Sequence, residues 1–301
     1  MPIPIFKLPY VAFSCLVSQF DHIDLIHLFA TFKAFAYYFD RRKILVDNFA
    51  ISIDNDTLLA KWKDVELKIW IRKYHNPYGP GLRLEYGPCG GRRYLFLTSN
   101  VREPLERVEQ FLDRILPILK VQHFDFHFCS NLDVRIRDLL PWKKIPRFRN
   151  FCILPQRGYS IRLSYEDIPF FLDQIQTHSL ILNVTCLSHV YRYSGIPRAS
   201  KVVLGNTSWL DFDNVFRWTS SEVEFHDPKL PEHLLHNFLE SWKYSRNRAL
   251  RVMVATCETL FEPDVGIQEM TIQREWDPVE ARVTVGEGAF RFEVLDKEQQ
   301  D

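Results

Sequence analysis

Residues 6–39 read FKLPYVAFSCLVSQFDHIDLIHLFATFKAFAYYF, and their spacing marks three short helices. Pro9 suits the first position of a helix, where its fixed φ fits and its missing N–H would have had no partner. Phe13, Leu16, Val17 and Phe20 then recur at i, i+3, i+4 and i+7, which makes one buried stripe. Asp21 is placed to cap a second helix over residues 23–29, with Asp24 as a further acid in its first turn. Phe32, Phe35, Ala36 and Phe39 repeat the spacing in a third helix. It runs into Arg41-Arg42-Lys43, cations that favour a helix C-terminus. Helical modules below ~40 residues rarely cover their own apolar surface. Part of this surface is therefore expected to meet another protein. The competing expectation is that the helices line the core of one large domain.

Outward from this stretch the rhythm changes to period two. Residues 49–53 (FAISI), 65–71 (VELKIWI), 82–86 and 93–97 alternate as strands do. Gly90-Gly91 lies between the last two and reads as a hairpin turn, since it lacks the GxxxxGK[ST] spacing of a phosphate loop. Residues 103–119 read as a helix. Strand-like runs then fall at 124–128, 148–154, 180–184, 201–204, 223–225 and 250–254, with helix-like segments at 165–175, 209–218 and 231–244 between them. A recurrence of ~20–30 residues is the period of strand-plus-helix solenoids. It predicts a degenerate leucine-rich-repeat-like array in which each unit covers its neighbour's apolar face. Residues 270–274, 281–285 and 290–294 alternate as antiparallel strands, expected to cap the array or pair with the early hairpins. The fold class expected is mixed, α+β with an α/β array flanked by antiparallel β-strands.

The chain has 301 residues, more than one compact core holds comfortably. Lys plus Arg and Asp plus Glu both total 38, so no global field draws the chain to nucleic acid or to an anionic membrane. No run approaches the ~18 apolar residues of a membrane span. Pro4, Lys7 and Pro9 interrupt what a secretory signal would need. The six cysteines (15, 89, 129, 152, 186, 257) include no CxxC pair, and reduced thiols in a cytoplasmic or nuclear protein are expected.

The most chemical-looking run is residues 123–129, HFDFHFC. In a strand His123, Asp125, His127 and Cys129 share one face and three Phe the other. Zinc takes such ligands, but residues two apart in a strand stand ~6.6 Å apart and point in parallel. A buried Phe face with a solvated polar face is the simpler expectation, and no metal or cofactor is assigned. Glu222 and Glu224 share a strand face and read as solvated or partner-facing. Tyr191-Arg192-Tyr193 with Arg198 and Lys201 mixes aromatics and base as single-strand binders do, but reads as loop surface on a neutral chain. No enzyme chemistry is expected.

The N-terminal stretch resembles an F-box. Leu8-Pro9 opens the first helix, Leu16 lies in its apolar run, Asp24-Leu25 makes the Asp-Leu step, and Leu28 and Thr31-Phe32-Lys33-Ala34-Phe35 stand at the closing positions. Phe13-Ser14-Cys15 replaces the usual charged or amide residue. Further on, Trp209, Asn237-Phe238-Leu239 with Trp242, residues 250–254 (LRVMV) and Ala281-Arg282-Val283 resemble the type 2 F-box-associated domain of nematode-type F-box proteins, with Asp277-Pro278 in place of an Asp-Gly turn. The resemblance implies an F-box over residues 4–45. An associated domain would follow over 46–301, made of hairpins to 100, the array over 101–269 and terminal strands from 270.

The resemblance further implies a non-catalytic substrate receptor. Leu8, Pro9, Leu16, Leu25, Leu28 and Phe32 would dock a Skp-type adaptor and, through it, a cullin. The associated domain would recruit an unknown protein for ubiquitination. The alternative is an interaction scaffold without ubiquitin chemistry, its helices part of its own core. Alternation in the array exposes a mixed polar row for the recruited protein: His123, Asp125 and His127, then Asn183 and Thr185, then Glu222, Glu224 and His226, then Arg251 and Met253.

Overall fold

A computed structural model describes residues 8–20, 24–25, 43–54, 57–62, 65–70, 81–86, 93–98, 112–113, 115–129, 137, 145, 147–155, 160–227, 232–256, 268–286 and 288–295. They form an α+β structure of mixed sheet with few helices. The chain divides into two compact units, Met1–Asp125 and Phe126–Asp301.

The first unit opens with helix α1 (Tyr10–Val17). The Phe13 amide donates to the Pro9 carbonyl at 2.9 Å, so the proline sits one residue before the helix proper. Turn bonds from Gln19 to Leu16 and from Phe20 to Val17 end it. Phe13 and Val17 are buried, whereas Val11 is 72% exposed. The second and third expected helices lie outside the described residues, apart from Asp24 and Leu25. The unit's strands are β1 (Ile44–Asp54), β2 (Thr57–Trp62), β3 (Val65–Trp70), β4 (Gly81–Tyr86), β5 (Arg93–Thr98) and the first part of β6 (Leu119–Phe128). Their order is β6-β1-β2-β3-β5-β4. β1-β2-β3 is an antiparallel meander, and β4 and β5 pair antiparallel, with the expected turn at Gly90-Gly91 outside the described residues. In β1 Ile44, Val46, Phe49, Ile51 and Ile53 are buried, and Phe49 meets the Phe124 ring edge-on at 6.0 Å. Of the helix expected over 103–119, residues 103–111 lie outside the described set; a 3-10 turn at Leu116–Ile118 carries Pro117 and leads straight into β6.

The second unit holds the array. Parallel strands β7 (Phe148–Ile153), β9 (Thr177–Leu182), β11 (Ala199–Leu204), β12 (Glu222–Phe225) and β13 (Val252–Thr256) lie side by side. β16 (Ala289–Leu295) joins β13 antiparallel, followed by β15 (Glu280–Gly286) and β14 (Gln268–Gln273). The terminal strands thus extend the array from β13. β8 (Ile161–Leu163) and β10 (Val184–Cys186) make a separate two-stranded parallel sheet.

The register shows why this unit coheres. One row of paired positions runs Phe151, Leu180, Val202, Val223, Met253, Phe292, Val283, all buried. Two residues on, Ile153, Leu182, Leu204, Phe225, Ala255 and Phe290 form a second buried row. Aromatic side chains from helical segments cover these rows. Helix α2 (Asp167–Pro169) continues as a π turn (Phe170–Gln174), whose Phe171 lies 5.6 Å from Phe151. A 3-10 helix (Phe212–Arg217) places Phe212 5.1 Å from Phe225. Helix α3 (Glu232–Tyr244) sets Phe238 and Trp242 edge-on to Phe292 at 5.4 and 5.0 Å. Each full burial of such a side chain contributes roughly 1.5–3 kcal/mol, so the two rows are the core of the unit.

Candidate functional site

With helical segments on one face of the array, the functional candidate is the opposite face. Its centre is built from β11, β12 and the residues just after β12 and at the end of β13. Parallel register pairs Lys201 with Glu222, and Val203 with Glu224. The Lys201 ammonium donates to Glu224 Oε1 and lies 3.4 Å from Glu222 Oε2. His226 Nε2 approaches Glu224 Oε2 at 3.2 Å, and its Nδ1 meets the Thr256 hydroxyl at 3.1 Å. Thr256 in turn donates to the Phe225 carbonyl.

These contacts set the ionisation of the group. The hydrogen bond to Glu224 raises the Lys201 pKa, against the opposing effect of burial. For Glu224, burial pushes upward, but hydrogen bonding and charge from Lys201, then from His226, outweigh it and hold the carboxyl below its ordinary range. The face at neutral pH is therefore a fixed mosaic of charges. Beyond it in the same plane come Val252 and Val254, half-buried, then Arg291 and Glu293, paired at 3.2 Å. An apolar strip bordered by paired charges suits contact with a folded protein surface: the apolar part supplies area, and the charges select orientation.

Of the row expected from alternation, Glu222, Glu224 and His226 do share this face, and Lys201, Thr256 and Arg291 join them. Lys201 had read as part of a basic loop patch. That patch is not formed: Tyr193 is buried and donates to Asp173 Oδ1 at 2.5 Å, and Arg192 turns to the backbone carbonyls of His189 and Tyr191. A cross-strand partner such as Lys201 can be found in sequence only when the register is known.

Other members of the row fall elsewhere. Met253 is buried at 0% exposure, a correction to its expected outward position. The cause is local: the amides of Arg251 and Val252 both donate to the Ser221 carbonyl, at 2.8 and 3.0 Å. This bulge-like doubling shifts the phase of alternation by one residue. Arg251 stays exposed ahead of the strand. Asn183 is exposed just past β9, against Gly205, where a Cβ would come within 2.5 Å of the Asn183 side chain. Thr185 belongs to the separate β8-β10 sheet.

In β6, His123 is exposed and His127 half-buried, but Asp125 is only 7% exposed, a second correction. The Asn48 amide covers it, donating to Asp125 Oδ2 at 2.6 Å. Phe126 and Phe128 are buried as expected, with Phe126 stacked 5.1 Å from Phe151. Among the described residues no group of three or more His, Cys, Asp or Glu is gathered as a metal site. Of the six cysteines, Cys15 and Cys186 are free thiols, Cys152 is buried, and Cys89 and Cys257 lie outside the described residues. Among the described residues no helix is long and apolar enough to cross a membrane.

At the N-terminus, Pro9 is exposed and Leu8 and Leu16 are half-buried. Leu25 is buried. Leu28 and Phe32 lie outside the described residues. No family model, no curated protein and no solved structure matches the chain.

Proposed function

We propose that the chain is a substrate receptor of a Skp–cullin–F-box ubiquitin ligase, in which the N-terminal helices dock the adaptor and the array recruits a protein. In such a receptor a three-helix F-box precedes a leucine-rich-repeat-like array. The observation that carries it is the two-sidedness of α1. Leu8-Pro9 sits at its start, Phe13 and Val17 are buried, and Val11 stands 72% exposed on the same helix. An apolar residue left in water on the helix that buries Phe13 and Val17 supports a shared surface. The array face that carries Lys201, Glu222, Glu224 and His226 supports a separate contact for the recruited protein.

The burial of Phe13, Val17 and Leu25 favours a second reading, a scaffold whose helices serve its own core. Affinity purification with mass spectrometry separates the two. The receptor brings down adaptor and cullin, and Leu8→Ala with Pro9→Ala removes both. Loss of interface anchors costs about 2 kcal/mol, or a ~30-fold weakening. Glu222→Lys with Glu224→Lys keeps the adaptor and loses the recruited protein. Purification without adaptor sinks the receptor reading and leaves the scaffold.

A further inference from the structure

The buried row of the second unit does not stop where its cover stops. It runs from Phe151 through Val223, Met253, Phe292 and Val283, and the register continues it to Met270 on β14. Val283 is fully buried, whereas Met270 is 47% exposed. β14 ends the strand order, and among the described residues no strand pairs with its outer edge. Proteins usually blunt such edges with Lys, Pro, a bulge or a short strand. β14 has six residues, no Lys and no Pro, and its one charge, Glu269, is tied to Arg282 of β15 at 3.0 Å.

We propose that β14 pairs antiparallel with β14 of a second copy of this chain, about a two-fold axis at Thr271. The sequence of the strand selects this register. In an antiparallel pair, opposite residues share a face. Only a two-fold centred on a residue keeps the apolar layers of both copies on the same side. Centring at Thr271 sets Met270 opposite Ile272 of the second copy, twice by symmetry, and Glu269 opposite Gln273. Centring at Met270 would set Ile272 against Gln268, and centring at Ile272 would set Met270 against Arg274. The chosen pairing extends the apolar row across two molecules and brings no like charges together. A six-residue strand buries little area, so the dimer is weak, with a dissociation constant of about micromolar order. This proposal stands apart from the adaptor reading.

Sedimentation velocity on the full chain, from about 1 to 200 µM, is expected to show a monomer–dimer equilibrium. Met270→Lys alters an exposed position, so the fold is kept, as circular dichroism checks. It places two cations in each dimer and is expected to weaken association about thirtyfold or more. Thr271→Cys, treated with a short bis-maleimide, is expected to cross-link to a covalent dimer beyond the level that the native thiols give in the parent chain. A parent chain monomeric over the whole range, an unweakened Met270→Lys dimer, or no added cross-linking at position 271 each overturns the proposal.

Discussion

Tyr193 and Gly195 illustrate how much one position can carry. The buried Tyr193 phenol donates to Asp173 Oδ1, and a Cβ at Gly195 would meet that phenol oxygen at 2.8 Å and the same carboxylate oxygen at 2.9 Å. The Gly195 carbonyl also accepts from Trp218 Nε1 at 3.1 Å, so this backbone is held on both sides. Gly195→Ala is therefore expected to cost about 1–3 kcal/mol through overpacking, measured by urea unfolding. Burial, then the hydrogen bond to Asp173, raises the Tyr193 pKa above its ordinary 10.0. A raised value in the folded state means that folding favours the protonated phenol. The contribution is complete below pH ~10 and is lost as pH rises above it. Tyr193→Phe is expected to cost about 1 kcal/mol at neutral pH and to flatten the decline of Tm above about pH 10 without abolishing it, since burial raises the Tyr191 pKa as well. A decline as steep as in the parent chain would remove Tyr193 as its source.

At the scale of elements, adjacent residues of β12 should behave oppositely. Val223 stands in the buried row and Glu222 on the open face. Val223→Ala is expected to cost at least about 1 kcal/mol by cavity formation, and Glu222→Lys to stay within about 0.5 kcal/mol. Equal costs would mean that the strand is not two-sided. Such strands were legible because period-two alternation survives wherever one face is buried. β2 was not read, since TLLAKW sets two leucines side by side and hides its alternation. The helix expected over 209–218 shrank to Phe212–Arg217 because tertiary bonds hold its start: Trp209 Nε1 donates to the Val184 carbonyl and the Tyr193 amide to the Trp209 carbonyl. Met253 was misplaced for a related reason. A doubled bond to Ser221 sets the phase of its strand, and no local pattern encodes that carbonyl. The candidate face was half legible in consequence: the acids of β12 could be read, whereas Lys201 and Thr256 come to them only through register.

Across the whole molecule, the equal counts of acids and bases place the isoelectric point near 7.1. Molecules with little net charge repel one another weakly, so turbidity of concentrated protein is expected to peak near pH 7 and to clear on moving about one and a half units either way. A flat profile would show that patches, not net charge, govern its association. The parallel register also has a consequence during synthesis. β13 is laid down by residue 256, but the strand that closes its far side, β16, begins at Ala289. At about 5–20 residues per second, that edge waits some seconds on the nascent chain with its backbone unmatched. The ribosome thus presents an open template with Met253 and Ala255 beside it, and a chaperone that shields extended chain has its interval there.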